Sequence, residues 1–191
     1  MTDRTVAEIV AVLSDPSLAR PARDFPVGQD NVDEAGLYAW RTDEPGRLLL
    51  SQTYGVELPA LIYAGQAGAS SAKAGLENGA TLRSRINGNH LRGNIRSSTF
   101  RKTLAASLFA PLGLQLAGPS KLDAASNHAL STWMRAHLSL ATVACPDRST
   151  LARLEHAVLM ELDPPLNLMG MAPTPVRTEL KARRSLLARA R

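Results

Sequence analysis

The sequence predicts an α/β domain in which a small, mainly antiparallel three-stranded sheet is flanked by helices. Three short segments, 36–41, 61–65 and 139–145, are rich in the apolar, aromatic and β-branched residues of strands. An amphipathic helical pattern follows the third of them. Because the chain has 191 residues, it is long enough to build one hydrophobic core.

Helix signals surround these strands. The Asp15-Pro16 step ends a first helix, and Ser98 is positioned to cap a later one. The apolar periodicity predicts helices at 6–13, 82–86, 99–109, 129–138, 151–162 and from 176 onward. Leu48–Leu50 is read as an apolar extension of a hairpin arm, Asn87-Gly88 as a helix interruption, and the Gly-, Ala- and Ser-rich stretch 66–80 as a flexible loop.

The charge distribution indicates a polyanionic partner. The net charge is +5, and residues 81–102 hold six basic side chains and no acidic one. Arg92, Arg96, Arg101 and Lys102 are therefore candidate phosphate contacts, and a solvated surface is the competing interpretation. A second basic run, 177–191, fits a solvated helix face equally well.

The compartment is predicted from three absences in the sequence. Cys145 is the single cysteine, so an internal disulfide and a thiolate metal cluster are excluded. No apolar run reaches the roughly 18 residues of a membrane span, and no signal-peptide layout is present. We expect a cytoplasmic protein with no membrane partner.

Glu155 is the most informative single residue. Leu151, Leu154, Val158 and Leu159 follow the spacing of one buried helix stripe, and Glu155 occupies the fourth position after Leu151, where the stripe calls for an apolar side chain. Burying a carboxylate is costly unless it meets a cation, a hydrogen-bond network or a metal ion. Periodicity alone also allows a glutamate at the stripe's edge that reaches water or pairs with an arginine.

Two tripeptide motifs add context to Glu155. Gly36-Leu37-Tyr38 lies in the first predicted strand, and Tyr63-Ala64-Gly65 lies in the second. Together with Arg85, Glu155 and Asn167, in this order, they resemble the paired GIY and YIG strands, arginine helix, metal-binding glutamate and closing asparagine of the GIY-YIG nuclease family. The resemblance covers about residues 35–168. It implies a nuclease domain there, preceded by an N-terminal helix and arm at 1–34 and followed by a basic helical extension at 169–191.

The resemblance implies a role for each matching residue. Tyr38 and Tyr63 would face the scissile phosphate, Arg85 would bind it, and Asn167 would close the far wall of the site. Glu155 would hold one divalent metal ion, Mg²⁺ or Mn²⁺. A metal ion and a guanidinium suit this chemistry because attack on a phosphodiester builds negative charge on its oxygens.

Two positions depart from the family pattern. A histidine or tyrosine is common four residues after the arginine, whereas here His90 comes five residues after Arg85, so it would reach the site only if Gly88 breaks the helix. Gln66 stands where a lysine often contacts substrate. Tyr38, with an ordinary pKa of about 10, and His90, with one near 6.5, both stay candidates for accepting the proton of the attacking water.

The sequence therefore predicts a metal-dependent endonuclease that hydrolyses phosphodiester bonds in DNA, with RNA not excluded. The departures at Gln66 and His90 support an alternative, a catalytically inactive nucleic-acid-binding module of the same fold. A third interpretation, a basic helical regulator, predicts no pairing of Tyr38 with Tyr63 in one sheet. Substrate recognition would come from the loops, the basic C-terminal helix or a homodimer.

Overall fold

The computed structural model describes residues 4–69 and 79–189 and contains one antiparallel sheet of four strands. Its order is β1-β6-β2-β3. The strands are β1 (Arg20–Pro21), β2 (Gly36–Thr42), β3 (Leu61–Ala67) and β6 (Leu138–Ala144). The predicted class and three strands are confirmed, and the two-residue β1 adds a fourth strand beside β6. Most of the predicted loop at 66–80 lies outside the described residues.

The helices largely follow the predicted pattern. They are α1 (Val6–Ser14), α2 (Glu44–Tyr54), α3 (Thr99–Leu108), α4 (Ala124–His137), α5 (Leu151–Leu162) and α6 (Pro175–Arg189). Two short strands, β4 (Leu116–Gly118) and β5 (Lys121–Leu122), form a separate ribbon. Within the described chain, no helix is both long and apolar enough to span a bilayer.

The segment between β2 and β3 corrects the hairpin-arm prediction for Leu48–Leu50. These leucines belong to α2, whose first turn is capped by the Asp43 side chain accepting from the Gly46 backbone N–H at 2.9 Å. Gly55, with a positive φ of 67°, ends the helix. Leu50 is buried whereas Leu48 is exposed, as expected for an amphipathic helix.

Asn87-Gly88 does not interrupt the helix that follows β3. Residues Ser84–Leu91 continue through it as a π-helix, a helix with hydrogen bonds from residue i to residue i+5. The wider turn places His90 on the same side as Arg85, five residues earlier. The expected helix break at Gly88 is therefore wrong, because the π-helix brings His90 and Arg85 together without one.

The sheet separates two hydrophobic clusters. On one face, α1 and α5 pack against Leu37, Ala39 and their neighbours. On the other face, Tyr38 and Trp40 join a larger cluster that includes side chains of α3, α4, α6 and the π-helix. Alternation of side chains along β2 therefore directs Tyr38 away from α5, and the β3 edge of the sheet, which α5 contacts, is a place where groups from the two faces can meet.

Candidate active site

The free edge of β3 is covered by α5 and the segment after it. The Ile62 carbonyl accepts from the Leu166 backbone N–H at 3.0 Å, and the Asn167 side chain bonds both the N–H and the C=O of Ala64, at 3.0 and 2.8 Å. Two residues further, the Gln66 N–H interacts with the Glu155 carboxylate. Residues 62, 64 and 66 are two positions apart, so their backbone groups face the same edge of β3. Glu155 is thus held at the end of a row of edge contacts.

These contacts define the surroundings of Asn167 and Gln66, the two candidates for substrate binding on this side of the site. Asn167 is 7% exposed, and its amide is used by Ala64, so it fixes the wall of the site instead of offering a donor to substrate. The Gln66 side chain accepts from the Ala69 N–H at 2.9 Å and so stabilises the chain as it leaves β3. Both residues therefore fix the position of β3 and of the chain that follows it.

Glu155 is half-buried among the apolar side chains of α5. Burial raises the pKa of its carboxyl, while the nearby Arg85 guanidinium and the Gln66 N–H oppose that rise. Leu151, Val158 and Leu159 on the same helix are buried, as the stripe predicted. A carboxylate kept in such surroundings has a cost in folding free energy, which is expected where the charge is needed for function.

The two tyrosines lie on one face of the sheet, on neighbouring strands. Tyr38 of β2 is paired with Gly65 of β3, and Trp40 with Tyr63. A Cβ atom at position 65 would lie 2.8 Å from the Tyr38 hydroxyl oxygen, so the phenol needs a glycine beneath it. The Tyr63 ring packs against Phe100 of α3, with centroids 4.6 Å apart. Burial raises the pKa of Tyr38 and raises that of Tyr63 to about 12, so both keep their protons at neutral pH.

Arg85 lies among the other candidate residues. Its positive charge opposes the rise that burial causes in the pKa values of Tyr38, Tyr63 and Glu155, and it adds to the lowering that burial causes in the pKa of His90. Its Nε atom is buried and has no hydrogen-bond partner among the described residues. Arg83, in contrast, is occupied by Asp33, to which it donates at 2.6 and 2.9 Å. Arg85 is therefore the arginine that is free to receive an anion.

A chain of hydrogen bonds extends behind Tyr38. Its hydroxyl lies 2.7 Å from Nε2 of His90, and Nδ1 of His90 lies 2.7 Å from the Ser98 hydroxyl. Burial, with the charges of Arg85 and Arg101, lowers the pKa of His90 to about 3. The ring is therefore neutral, with one nitrogen as donor and the other as acceptor. When Nδ1 carries the hydrogen, Nε2 accepts from Tyr38.

The lowered pKa of His90 predicts acid sensitivity of the fold. The unfolded chain takes up a proton near pH 6.5, whereas folded His90 does so only near pH 3. Because the unfolded state binds more protons between these values, stability is lost as the pH falls from 6.5 toward 3. At pH 4 this amounts to about 3 kcal/mol. Urea unfolding at pH 7 and pH 4 should show that His90→Asn removes this part of the pH dependence.

His128 provides the control, because it is exposed on α4. His128→Asn should keep the acid sensitivity of the wild-type protein. Equal loss of stability between pH 7 and pH 4 in wild type and His90→Asn would show that the buried imidazole is not neutral in the folded state.

An open cleft of about 930 Å³ adjoins these residues. Tyr63 and Glu155 form part of its wall, and the basic residues along it are Lys102 of α3 and Arg177, Lys181 and Arg184 of α6. Tyr38 and His90, 3% exposed each, are buried and are not among the residues that line the cleft. The cleft is comparable in size with pockets that enclose small ligands.

The four basic residues predicted as phosphate contacts have different environments. Arg101 is fully buried and donates to the His90 carbonyl, Asn127 and Ser131 at 2.8 to 3.0 Å. The phosphate-contact prediction for Arg101 is therefore wrong, because its guanidinium holds the π-helix and α4 together. Arg92 and Arg96 are exposed, and Lys102 lines the cleft.

Three residues of the site were not predicted to be there. Ser98 was expected only to cap α3, yet its hydroxyl also bonds His90, and Phe100 had no predicted role at the site, yet its ring packs against Tyr63. Arg184 was placed in a basic helix of undecided role. The sequence signal for Arg184 is its spacing from Arg177 and Lys181, which puts the three on one helix face.

Comparison with known proteins supports the interpretation of these motifs. Residues 36–186 match the sequence profile of the family described as GIY-YIG catalytic domain. The match begins at the first glycine of β2 and extends into α6. No curated protein and no solved structure shows a significant match to the chain. With the profile spanning most of its length, this chain belongs to the GIY-YIG nuclease family.

Proposed function

We propose that this protein is a metal-dependent endonuclease that hydrolyses phosphodiester bonds in DNA. The observation that carries the proposal is the relation between Arg85 and Glu155. The guanidinium is close enough to oppose the rise that burial causes in the pKa of the carboxyl, yet no ion pair joins the two among the described residues. Opposite charges that stay apart leave room for a phosphate next to one and a cation next to the other, and Glu155 of this pair lines the cleft.

The residues present fit a divalent ion bound mainly by water and substrate. Within residues 4–69 and 79–189 no three His, Cys, Asp or Glu side chains form a metal-binding group. A single carboxylate still suits Mg²⁺, which keeps several waters and takes its other ligands from substrate phosphate. Glu155 would hold the ion, which when bound stabilises charge on the phosphate and the departing oxygen.

The residues of the chain divide the remaining tasks. Arg85 binds non-bridging oxygens of the scissile phosphate through its guanidinium, and the protonated Tyr63 can donate a hydrogen bond to the same group. Because Tyr38 keeps its own proton, it acts as a relay. As its oxygen accepts a proton from the attacking water, its hydroxyl proton passes across the 2.7 Å hydrogen bond to His90 Nε2. A phosphate bound at Arg85 offsets the guanidinium charge that, after burial, lowers the pKa of His90, and so makes the imidazole a better acceptor. Tyr38 and His90, the two candidates for the general base, would then act one after the other in the same proton transfer.

Incubation with supercoiled plasmid DNA tests the proposal. The purified protein should convert the plasmid to nicked or linear forms with Mg²⁺ or Mn²⁺ and should leave it intact with EDTA. Cutting in EDTA would overturn the metal requirement. Stable DNA binding without cutting under any of these conditions would overturn the nuclease assignment in favour of a binding module with this fold.

A further inference from the structure

Helix α6 is fixed firmly as one wall of the cleft. Arg177, in its first turn, is 4% exposed and donates to the carbonyls of Asn167, Ala172 and Pro164 and to the Asp163 carboxylate. Leu180 and Leu187 are buried in the same cluster as the tyrosines. Side chains further along this face of α6 are therefore held in position before substrate arrives, which reduces the entropic cost of binding.

Arg184 lies two turns beyond Arg177 on that face and lines the cleft with Tyr63. It is half-buried, and within the described part of the chain it donates no hydrogen bond and forms no ion pair. Lys102 faces the cleft from α3, where its ammonium lies 3.3 Å from the Ser120 hydroxyl. Each cation is partly desolvated, and the charge of Arg184 lowers the pKa of Lys102.

Two neighbouring cations in a partly buried wall are unfavourable unless an anion lies between them. Glu155, the carboxylate on the cleft wall, interacts with Arg85 and the Gln66 N–H. Arg184 is close to Tyr63. The positive charges of Arg184 and Arg85 both oppose the rise that burial causes in the pKa of Tyr63. Tyr63 is thus flanked by two cations, Arg85 beside Glu155 and Arg184 beside Lys102.

We propose that Arg184 and Lys102 form a second phosphate subsite, which binds the backbone phosphate next to the scissile one. The inference rests on the proposed function for the identity of the scissile phosphate. In this arrangement Arg184 is a positioning residue, since it holds the strand while Arg85 and Glu155 act on the reacting group. The recognition is of backbone charge and is independent of base sequence.

Binding of a short fluorescein-labelled DNA duplex in EDTA, followed by anisotropy at several salt concentrations, tests the subsite apart from cleavage. Arg184→Gln should raise the Kd about tenfold at low salt, as expected for a lost charged hydrogen bond. It should also reduce the slope of log K against log salt by about 1. Arg184→Lys should retain the slope, because it retains the charge.

The neighbouring Arg183 is the matched control. It points to Glu179, to which it donates at 2.8 Å, and lies over the Tyr54 ring, 5.8 Å from the centroid. Arg183→Gln should leave the salt slope unchanged, with thermal melting to verify that both variants fold. An unchanged Kd and slope for Arg184→Gln would overturn the subsite even if plasmid is cut. The predicted change in slope without cutting by the wild-type protein would support the subsite and overturn the nuclease proposal.

Discussion

Replacing Glu155 with glutamine is expected to reduce plasmid cleavage by about a thousandfold or more while leaving DNA affinity within a few fold. The amide has nearly the same shape and can still accept from the Gln66 N–H, but it cannot hold a divalent cation. A thousandfold loss corresponds to about 4 kcal/mol of transition-state stabilisation. Nicking rates at saturating protein, with and without Mg²⁺, measure it.

The same substitution should not destabilise the protein. Because burial raises the pKa of Glu155, the ionised form is disfavoured in the fold, and a neutral amide removes that cost. Thermal melting should therefore give a Tm equal to or above that of wild type. Glu161→Gln, at an exposed position of the same helix, is the control for charge removal. Normal cleavage by the Glu155→Gln variant would mean that the carboxylate has no part in the reaction.

Replacing Arg101 with methionine is expected to lower the free energy of unfolding by about 3 to 5 kcal/mol. The guanidinium is fully buried, and its loss leaves the His90 carbonyl, Asn127 and Ser131 without their donor. Methionine has a similar length and fills the space, so the loss reflects polar groups more than a cavity. Equilibrium unfolding in urea measures the change.

The contrast with Arg96 separates a structural role from substrate contact. Arg96 is exposed, and its guanidinium donates to the Pro119 carbonyl at 3.1 Å. Arg96→Met should alter stability by less than about 1 kcal/mol. An Arg101→Met protein as stable as wild type, but with weaker DNA binding, would restore the earlier expectation of a phosphate contact.

Local pattern was sufficient to predict most of the elements. The β2, β3 and β6 segments have the composition of strands, and the apolar stripe of α5 is interrupted at Glu155 alone, so these four elements were predictable without knowledge of distant contacts. The α2 error came from treating three adjacent leucines as strand-like. Asp43 before the segment and Gly55 after it are capping signals, and they should have identified the segment as a helix.

Tyr38, Tyr63 and Arg85 were predicted from the family resemblance, whereas periodicity identified a site residue only where burial followed from the pattern. The argument used for Glu155 also applies to Arg101, which shares one helix face with Leu104 and Leu108, and it would have identified the buried arginine. The Tyr38–His90–Ser98 chain was not predictable, because it depends on which helix type joins residues 84 and 91. The α-helix and the π-helix differ only in whether the backbone bonds span four or five residues, and residue propensities do not distinguish these two helix types.

The π-helix bears on how this element can vary in length. Where family members carry histidine four residues after the arginine, an ordinary α-helical turn would bring the two together. Here one additional residue is absorbed by the wider turn, and the imidazole still meets the Tyr38 phenol. A single-codon insertion or deletion in this stretch can thus be compensated by local rewinding, so a search for relatives at fixed spacing would overlook chains in which the contact between phenol and imidazole is intact.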